Sequence, residues 1–129
     1  MDELKDWALG VASKVSKVSV TERQVGDVFV VGLDGNIITG EGADTVRGVV
    51  RRLLAEGRRK ILLDMAHVRW VDSMGIGTLV SALVSVTREG GQIKLLKVRE
   101  NIKDLLSMTE LHTVFATYDD ELEALNDYE

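Results

Sequence analysis

The spacing of apolar residues changes several times along the chain, most sharply between Lys60 and Arg88. Ile61–Leu63 is an apolar run that is too short for a helix and typical of a buried strand. After the polar pair Asp72 and Ser73, apolar residues recur at helical spacing; they are Ile76, Leu79, Val80, Leu83 and Val84. The pattern predicts a strand, a polar corner at the sheet rim, and a helix with Ser73 at its N-terminus.

Two strand-like segments precede this unit. Val18–Thr21 alternates between apolar and polar residues, and Val28–Leu33 is rich in β-branched residues. Val25–Asp27 favours a turn between them, so we predict a hairpin. We expect the second strand to close at Asp34–Asn36.

The next segment combines a loop, a helix and a basic cluster. Ile37–Gly42 is expected to be a loop, and a helix is predicted from about Ala43 to Glu56, ended by Gly57. We interpret the basic cluster as a solvated face, with a docking patch as the alternative. Its members are Arg47, Arg51, Arg52, Arg58, Arg59 and Lys60.

The C-terminal part continues the alternation of strands and helices. Glu89–Gln92 favours a turn, Ile93–Leu96 a strand and Thr113–Thr117 a final strand. Between the two strands a short helix is predicted from the spacing of Ile102, Leu105 and Leu106.

A last helix is predicted to start at Asp119–Glu121, where acidic residues suit the helix dipole, with Leu122 and Leu125 facing inward. The crossovers are long enough for parallel strands, so we predict an α/β fold that begins with a hairpin.

We predict that residues 1–16 form an N-terminal helical extension to a domain that covers residues 17–129. The helical stripe consists of Leu4, Trp7, Ala8, Val11 and Val15, and Gly10 weakens it. A docked or frayed helix is our main interpretation; an oligomer contact and a membrane-surface anchor are alternatives. The acids Asp2, Glu3 and Asp6 disfavour the anchor.

Composition narrows the possible functions. A length of 129 residues indicates one domain, and a net charge of -5 argues against a general nucleic-acid binder. The absence of cysteine excludes disulfides and thiolate metal sites. His67 and His112 lack zinc-site spacing, and no apolar run is long enough to cross a membrane. We therefore expect a cytoplasmic protein without a metal or other cofactor.

The sequence offers few residues from which a catalytic site could be formed. It has no P-loop, and Ser73 does not lie in a GxSxG motif. A serine hydrolase using His67 and Asp64, and a Mg²⁺ site formed by Asp64 and Asp72, are weak alternatives. We predict no catalytic residue and no enzymatic activity.

Ser73 itself has two interpretations. Serine and aspartate are common N-caps, because their side chains accept hydrogen bonds from helix N–H groups. A helix N-terminus also tolerates a phosphate well, so a covalently modified serine is the alternative. The spacing alone favours the cap.

Three segments resemble the STAS domains of bacterial anti-sigma factor antagonists. They are Lys60–Met65, Val71–Val80 (VDSMGIGTLV) and Gly90–Leu96, and the similarity extends over about residues 17–126. The resemblance implies a STAS-like mixed sheet of four or five strands, with helices mainly on one face and an N-terminal β-hairpin.

The resemblance also implies a function. In that family the serine after the corner aspartate, here Ser73, is phosphorylated by an anti-sigma factor that is a serine kinase. The unphosphorylated antagonist binds that partner and releases a sigma factor, phosphorylation abolishes binding, and a PP2C-type phosphatase restores it. The chain would be a substrate in this cycle, a monomer or weak homodimer, without direct contact to nucleic acid or membrane.

The partner surface is expected at the corner, and two positions there depart from the family pattern. We assign partner binding to Asp72, Met74, Gly75, Ile76 and Asn36. Many relatives carry an acid in the segment that reads Gly35–Gly40 here, and Met74 stands where serine or threonine is common. The alternative function is an unphosphorylated STAS module in a stressosome-like scaffold or a transporter complex.

Overall fold

The structure, a computed structural model, describes residues 18–129 and contains one five-stranded sheet in these residues. The strand order is β1-β2-β3-β4-β5; β1 is antiparallel to β2, and the later neighbours are parallel. The strands are β1 (Val18–Val25), β2 (Val28–Ile37), β3 (Lys60–Val71), β4 (Gln92–Leu96) and β5 (Thr117–Tyr118).

Helices follow β2, β3, β4 and β5 in turn. They are α1 (Glu41–Ala55), α2 (Ser73–Arg88), α3 (Glu100–Met108) and α4 (Glu121–Asn126), with a 3₁₀ helix at Leu111–Thr113. No helix within residues 18–129 has the length and apolar character needed to cross a membrane.

The sheet separates a large core from a small one, because successive side chains of a strand point to opposite faces. Helices α1, α2 and α3 cover the large core, which contains Val31, Leu63 and Leu95. On the opposite face Ala124 of α4 packs with a few strand residues, including Leu62. The predicted mixed α/β sheet, with an initial hairpin and helices mainly on one face, is confirmed.

Several local predictions are confirmed. Val25 pairs with Val28 across the turn of the hairpin. Helix α1 ends before Gly57, whose φ of 84° is accessible to glycine without strain. Helix α2 begins at Ser73, as the change of apolar spacing predicts.

The prediction that β2 closes at Asp34–Asn36 was wrong, and β3 is also longer than its apolar run. β2 continues to Ile37 and β3 to Val71, and these two residues are paired in the sheet. Register shifts interrupt the β2–β3 pairing, so the buried positions after Met65 are Val68 and Val71 instead of every second residue. The usual alternation is therefore lost where both strands approach the corner.

The predicted final strand Thr113–Thr117 was also wrong. Most of this segment lies outside the sheet, and β5 contains only Thr117 and Tyr118. Phe115 is buried in the large core without belonging to a strand.

The inward face of the last helix differs in part from the prediction. Leu122 is 65% exposed, whereas Leu125 packs against the small core, as predicted. Ala124 of the same helix is fully buried and belongs to the small core.

Acidic side chains neutralise much of the basic cluster, which agrees with its interpretation as a solvated face. The ion pairs are Arg47–Asp44, Arg52–Glu22, Arg52–Glu56, Arg59–Glu89 and Lys60–Asp27. Arg58 lies over the ring of Phe29 instead, 4.4 Å from its centroid. Exposed ion pairs of this kind contribute little stability.

The predicted helical extension at residues 1–16 lies outside the described residues. The domain boundary at residue 17 therefore stays a prediction.

Candidate functional site

The corner between β3 and α2 is built around the carboxylate of Asp72. The residue is the N-cap of α2, and its Oδ1 accepts a hydrogen bond from the backbone N–H of Gly75 at 2.8 Å. This bond satisfies one of the N–H groups that the first turn of a helix leaves unpaired. The cap is therefore Asp72, and Ser73 is the first residue of the helix.

The second carboxylate oxygen of Asp72 holds the loop that joins β2 to α1. Its Oδ2 accepts hydrogen bonds from the backbone N–H of Thr39 at 2.9 Å and from Thr39 Oγ1 at 3.0 Å. The Asp72 N–H also donates to the carbonyl oxygen of Ile37 at 3.4 Å. One side chain thus joins the start of α2 to the segment that follows β2.

The charge of Asp72 is stabilised by these donors. Partial burial raises the pKa of this carboxyl group. The hydrogen bonds from Thr39, Gly75 and Met74 lower the same pKa by more than burial raises it, so the net shift is downward from 3.8. Asp72 is therefore ionised at neutral pH.

Gly75 and Ile76 lie beneath the surface of the corner. A Cβ on Gly75 would lie 1.8 Å from the carbonyl oxygen of Ile37 and 2.9 Å from Val71 Cγ1. Ile76 is 9% exposed and belongs to the large core. Because both residues are buried, they shape the corner and offer little surface to a partner.

Ser73 and Met74 form the exposed part of the corner. The Ser73 hydroxyl has no hydrogen-bond partner within residues 18–129, and the Met74 side chain is 48% exposed. The carbonyl oxygen of Met74 accepts a hydrogen bond from the buried Thr78 hydroxyl at 3.0 Å, which holds the first turn of α2 in place.

Asn36 lies at the same end of the sheet. It is half-buried and immediately precedes Ile37, the residue paired with Val71. The fold therefore brings all the residues assigned to partner binding into one region, with Asp72, Met74 and Asn36 at least partly accessible. Their contact with a partner stays a prediction.

Thr39 was missed by the sequence analysis. It contributes both a backbone and a side-chain donor to Asp72, which is 33 positions away in the chain. The only signal in the sequence is its place in a loop next to Gly40, and many loops contain such a threonine. Its role becomes visible only when the ends of β2 and β3 are side by side.

The catalytic alternatives do not agree with the geometry. Asp64 and Asp72 are separated by the extended second half of β3, on the order of 25 Å at the usual rise per strand residue. The Oδ1 of Asp64 instead accepts from the backbone N–H of Ala66 at 3.0 Å. His67 lies on β3 roughly 15 Å before the corner. The distances along β3 therefore favour neither of the two weak alternatives, the paired-carboxylate site or the hydrolase arrangement.

The chain is similar to proteins of one family over most of its length. Residues 19–124 match the STAS domain. A protein of Thermotoga neapolitana described as a candidate anti-sigma factor antagonist is 35% identical over 79 residues, which are 61% of this chain and 70% of that protein. An anti-sigma F factor antagonist of Paenibacillus polymyxa is 28% identical over 54% of this chain and 59% of its own length.

A solved structure extends this similarity to the fold. The crystal structure of a candidate anti-sigma factor antagonist from Thermotoga maritima has a TM-score of 0.75 and 28% identity with this chain. The match covers 84% of this chain and 93% of that one.

Proposed function

This chain belongs to the STAS domain family, and from that premise we propose that it is an anti-sigma factor antagonist controlled by phosphorylation of Ser73. In the unphosphorylated state it binds an anti-sigma factor and thereby releases a sigma factor. The similarity to the Thermotoga and Paenibacillus proteins supports the antagonist role.

The main support for the phosphorylation switch is that two adjacent residues, Asp72 and Ser73, have different roles at the corner. The Asp72 carboxylate accepts hydrogen bonds from Gly75 and Thr39, while Ser73 is exposed and its hydroxyl is unpaired within residues 18–129. A kinase can reach this hydroxyl without disturbing the cap.

A phosphate on Ser73 is expected to change the surface and leave the fold intact. It adds about -1.5 to -2 charge next to the ionised Asp72. Because Asp72 already accepts from the N–H of Gly75, that donor is occupied and the new charge stays at the surface. A partner face that covers Ser73 and the exposed Met74 would have to desolvate this charge, so binding is lost.

The proposed cycle needs two enzymes besides this chain. The anti-sigma factor acts as the serine kinase, and a PP2C-type phosphatase removes the phosphate. In this cycle the chain is a substrate, and the exchange takes place in the cytoplasm.

Ser73 substitutions provide the first prediction. Ser73→Ala is expected to co-purify with the kinase from the native cells under all conditions, whereas Ser73→Asp is expected to lose the kinase and remain folded. The matched pair Ser81→Ala and Ser81→Asp changes another exposed serine of α2 and should leave the interaction unchanged. Circular dichroism checks the fold, and a Ser73→Asp variant that binds like the wild type would contradict the proposal.

Phosphopeptide mapping of the protein from its own cells, before and after stress, tests the modification directly. We expect one phosphate, on Ser73, whose occupancy changes with the signal. If Ser73 stays unmodified under every condition, the module of a scaffold or transporter becomes the better assignment.

A further inference from the structure

A groove of about 140 Å³ lies between helices α1 and α2. Four residues of α1 form one wall at the i, i+3, i+4 and i+7 spacing of a single helix face; they are Arg47, Val50, Arg51 and Leu54. Val50 is buried, whereas Arg51 is exposed. This wall therefore combines two cations with two apolar side chains.

The opposite wall comes from α2 and carries hydroxyl groups. Its residues have the same helical spacing; they are Thr78, Ser81, Ala82 and Ser85. The hydroxyls of Ser81 and Ser85 have no hydrogen-bond partner within residues 18–129. None of the eight described residues that line the groove is acidic or aromatic. The groove thus offers positive charge and hydrogen-bond donors, with no negative charge to balance them.

The guanidinium group of Arg47 is held in place at the groove. Its Nη1 donates to Asp44 Oδ1 at 2.8 Å, and its Nη2 donates to Thr78 Oγ1 at 3.3 Å. The Thr78 side chain is itself fixed, because it is buried and its hydroxyl donates to the carbonyl oxygen of Met74. Arg47 is therefore positioned before any ligand binds, which reduces the entropic cost of binding.

Arg51 has no such partner. It makes no ion pair or hydrogen bond within residues 18–129, whereas every other member of the basic cluster pairs with an acid or, like Arg58, lies over the ring of Phe29. Arg51 also follows Arg47 by four positions in α1, and like charges at this spacing repel each other. An anion between the two guanidinium groups would remove that repulsion.

We propose that this groove binds a small phosphate monoester. Its phosphate lies between Arg47 and Arg51, because the planar guanidinium group matches phosphate oxygens with two parallel hydrogen bonds. The hydroxyls of Ser81 and Ser85 donate to the phosphate from the opposite wall. Donors on both walls suit a tetrahedral group with three terminal oxygens better than a planar carboxylate.

The size and the apolar part of the groove define the rest of the ligand. A cavity of about 150 Å³ holds one benzene molecule, so a groove of about 140 Å³ has room for a phosphate with a substituent of a few carbon atoms. The substituent packs against the buried Val50 and Ala82. A nucleobase finds no aromatic ring to stack on among the lining residues.

Titration of the full chain, followed by amide chemical shifts at constant ionic strength, tests the site. Inorganic phosphate is expected to shift the amides of Arg51, Ser81 and Ser85 in a saturable way, with a millimolar dissociation constant. Propyl phosphate should bind several-fold more tightly, because its carbon atoms are removed from water.

Acetate is the control ligand for the phosphate group. It carries one negative charge, whereas a phosphate monoester carries about -1.5 to -2 at neutral pH, so acetate should bind about tenfold more weakly than inorganic phosphate. The proposal is overturned if phosphate causes no saturable shift, or if acetate binds as tightly as propyl phosphate.

Two arginine variants locate the bound phosphate. Arg51→Gln should weaken the binding of propyl phosphate about tenfold and leave the fold unchanged, since Arg51 has no partner within residues 18–129. Arg69→Gln removes an exposed arginine of β3 that does not line the groove and should have no effect. If Arg51→Gln binds like the wild type, or if the shifts are confined to the first turn of α2, the phosphate binds elsewhere and the groove is not its site.

The groove and the phosphorylation switch can be tested separately. Ser73 does not line the groove, so Ser73→Ala should bind propyl phosphate like the wild type. The titration requires neither the kinase nor phosphorylation, so its result does not depend on the proposed switch.

Discussion

Gly75→Ala is expected to lower the free energy of unfolding by about 3 kcal/mol. The new Cβ would lie 1.8 Å from the carbonyl oxygen of Ile37 and 2.9 Å from the carbonyl carbon of the same residue. The backbone at the end of β2 cannot give way like a flexible side chain, because Ile37 is fully buried and paired with Val71. The start of α2 must therefore move away from the sheet, and the Asp72 cap is strained with it.

Gly77→Ala is the matched control, because it lies two residues further along the same helix. A Cβ at Gly77 meets no atom within 4 Å, so the substitution should stabilise the protein by up to about 1 kcal/mol through helix propensity. Gly48→Ala in α1 is expected to behave in the same way, since the space around it is also open. Urea denaturation of the three variants measures the effect, and a Gly75→Ala variant as stable as the wild type would contradict the predicted clash.

Asp72→Ala is expected to cost about 2–3 kcal/mol of stability. The substitution removes the acceptor for the Gly75 N–H and for both donors of Thr39. Loss of an N-cap alone costs about 1 kcal/mol. The remaining cost comes from Thr39, because the loop after β2 loses its attachment to α2. Amide exchange should therefore increase at Thr39 as well as at Gly75.

Asp120→Ala is the control for the cap. Asp120 is the N-cap of α4, and among residues 18–129 it accepts a hydrogen bond only from its own helix, from the Glu123 N–H at 3.1 Å. Its replacement should cost about 1 kcal/mol or less. An equal loss for Asp72→Ala and Asp120→Ala would show that the bonds to Thr39 contribute nothing.

Asp72→Asn separates the charge of the carboxylate from its hydrogen bonds. Asparagine is as good an N-cap as aspartate, so the variant keeps part of the stability at neutral pH. Because the pKa of Asp72 is lowered in the folded state, its charge stabilises the protein fully above the ordinary pKa of 3.8. This contribution is lost as the pH falls below 3.8 through the folded-state pKa. The difference in unfolding free energy between the wild type and Asp72→Asn should decrease over that range, and a constant difference would contradict the pKa shift.

The strand–corner–helix unit could be predicted because its pattern is local. The change from an apolar run to helical spacing around Asp72 and Ser73 appears within one short stretch, and the helix begins where that change occurs. The predicted strand at Thr113–Thr117 failed for the opposite reason. Phe115 is buried by tertiary packing in the large core although it belongs to no strand, and an apolar residue buried in this way leaves the same local pattern as a strand.

Local patterns of the sequence determined the order of most elements, the hairpin, and the position of Ser73 at a helix start, because turn chemistry and apolar spacing depend on neighbours in the chain. Only the tertiary structure decided that Asp72 caps the helix and holds Thr39, that Gly75 lies against the Ile37 carbonyl, and that the walls of one groove include Arg51 and Ser81. These relations join residues far apart in the chain, and they arise from the register of β2 with β3 and from the packing of α1 beside α2. No local spacing encodes either of these.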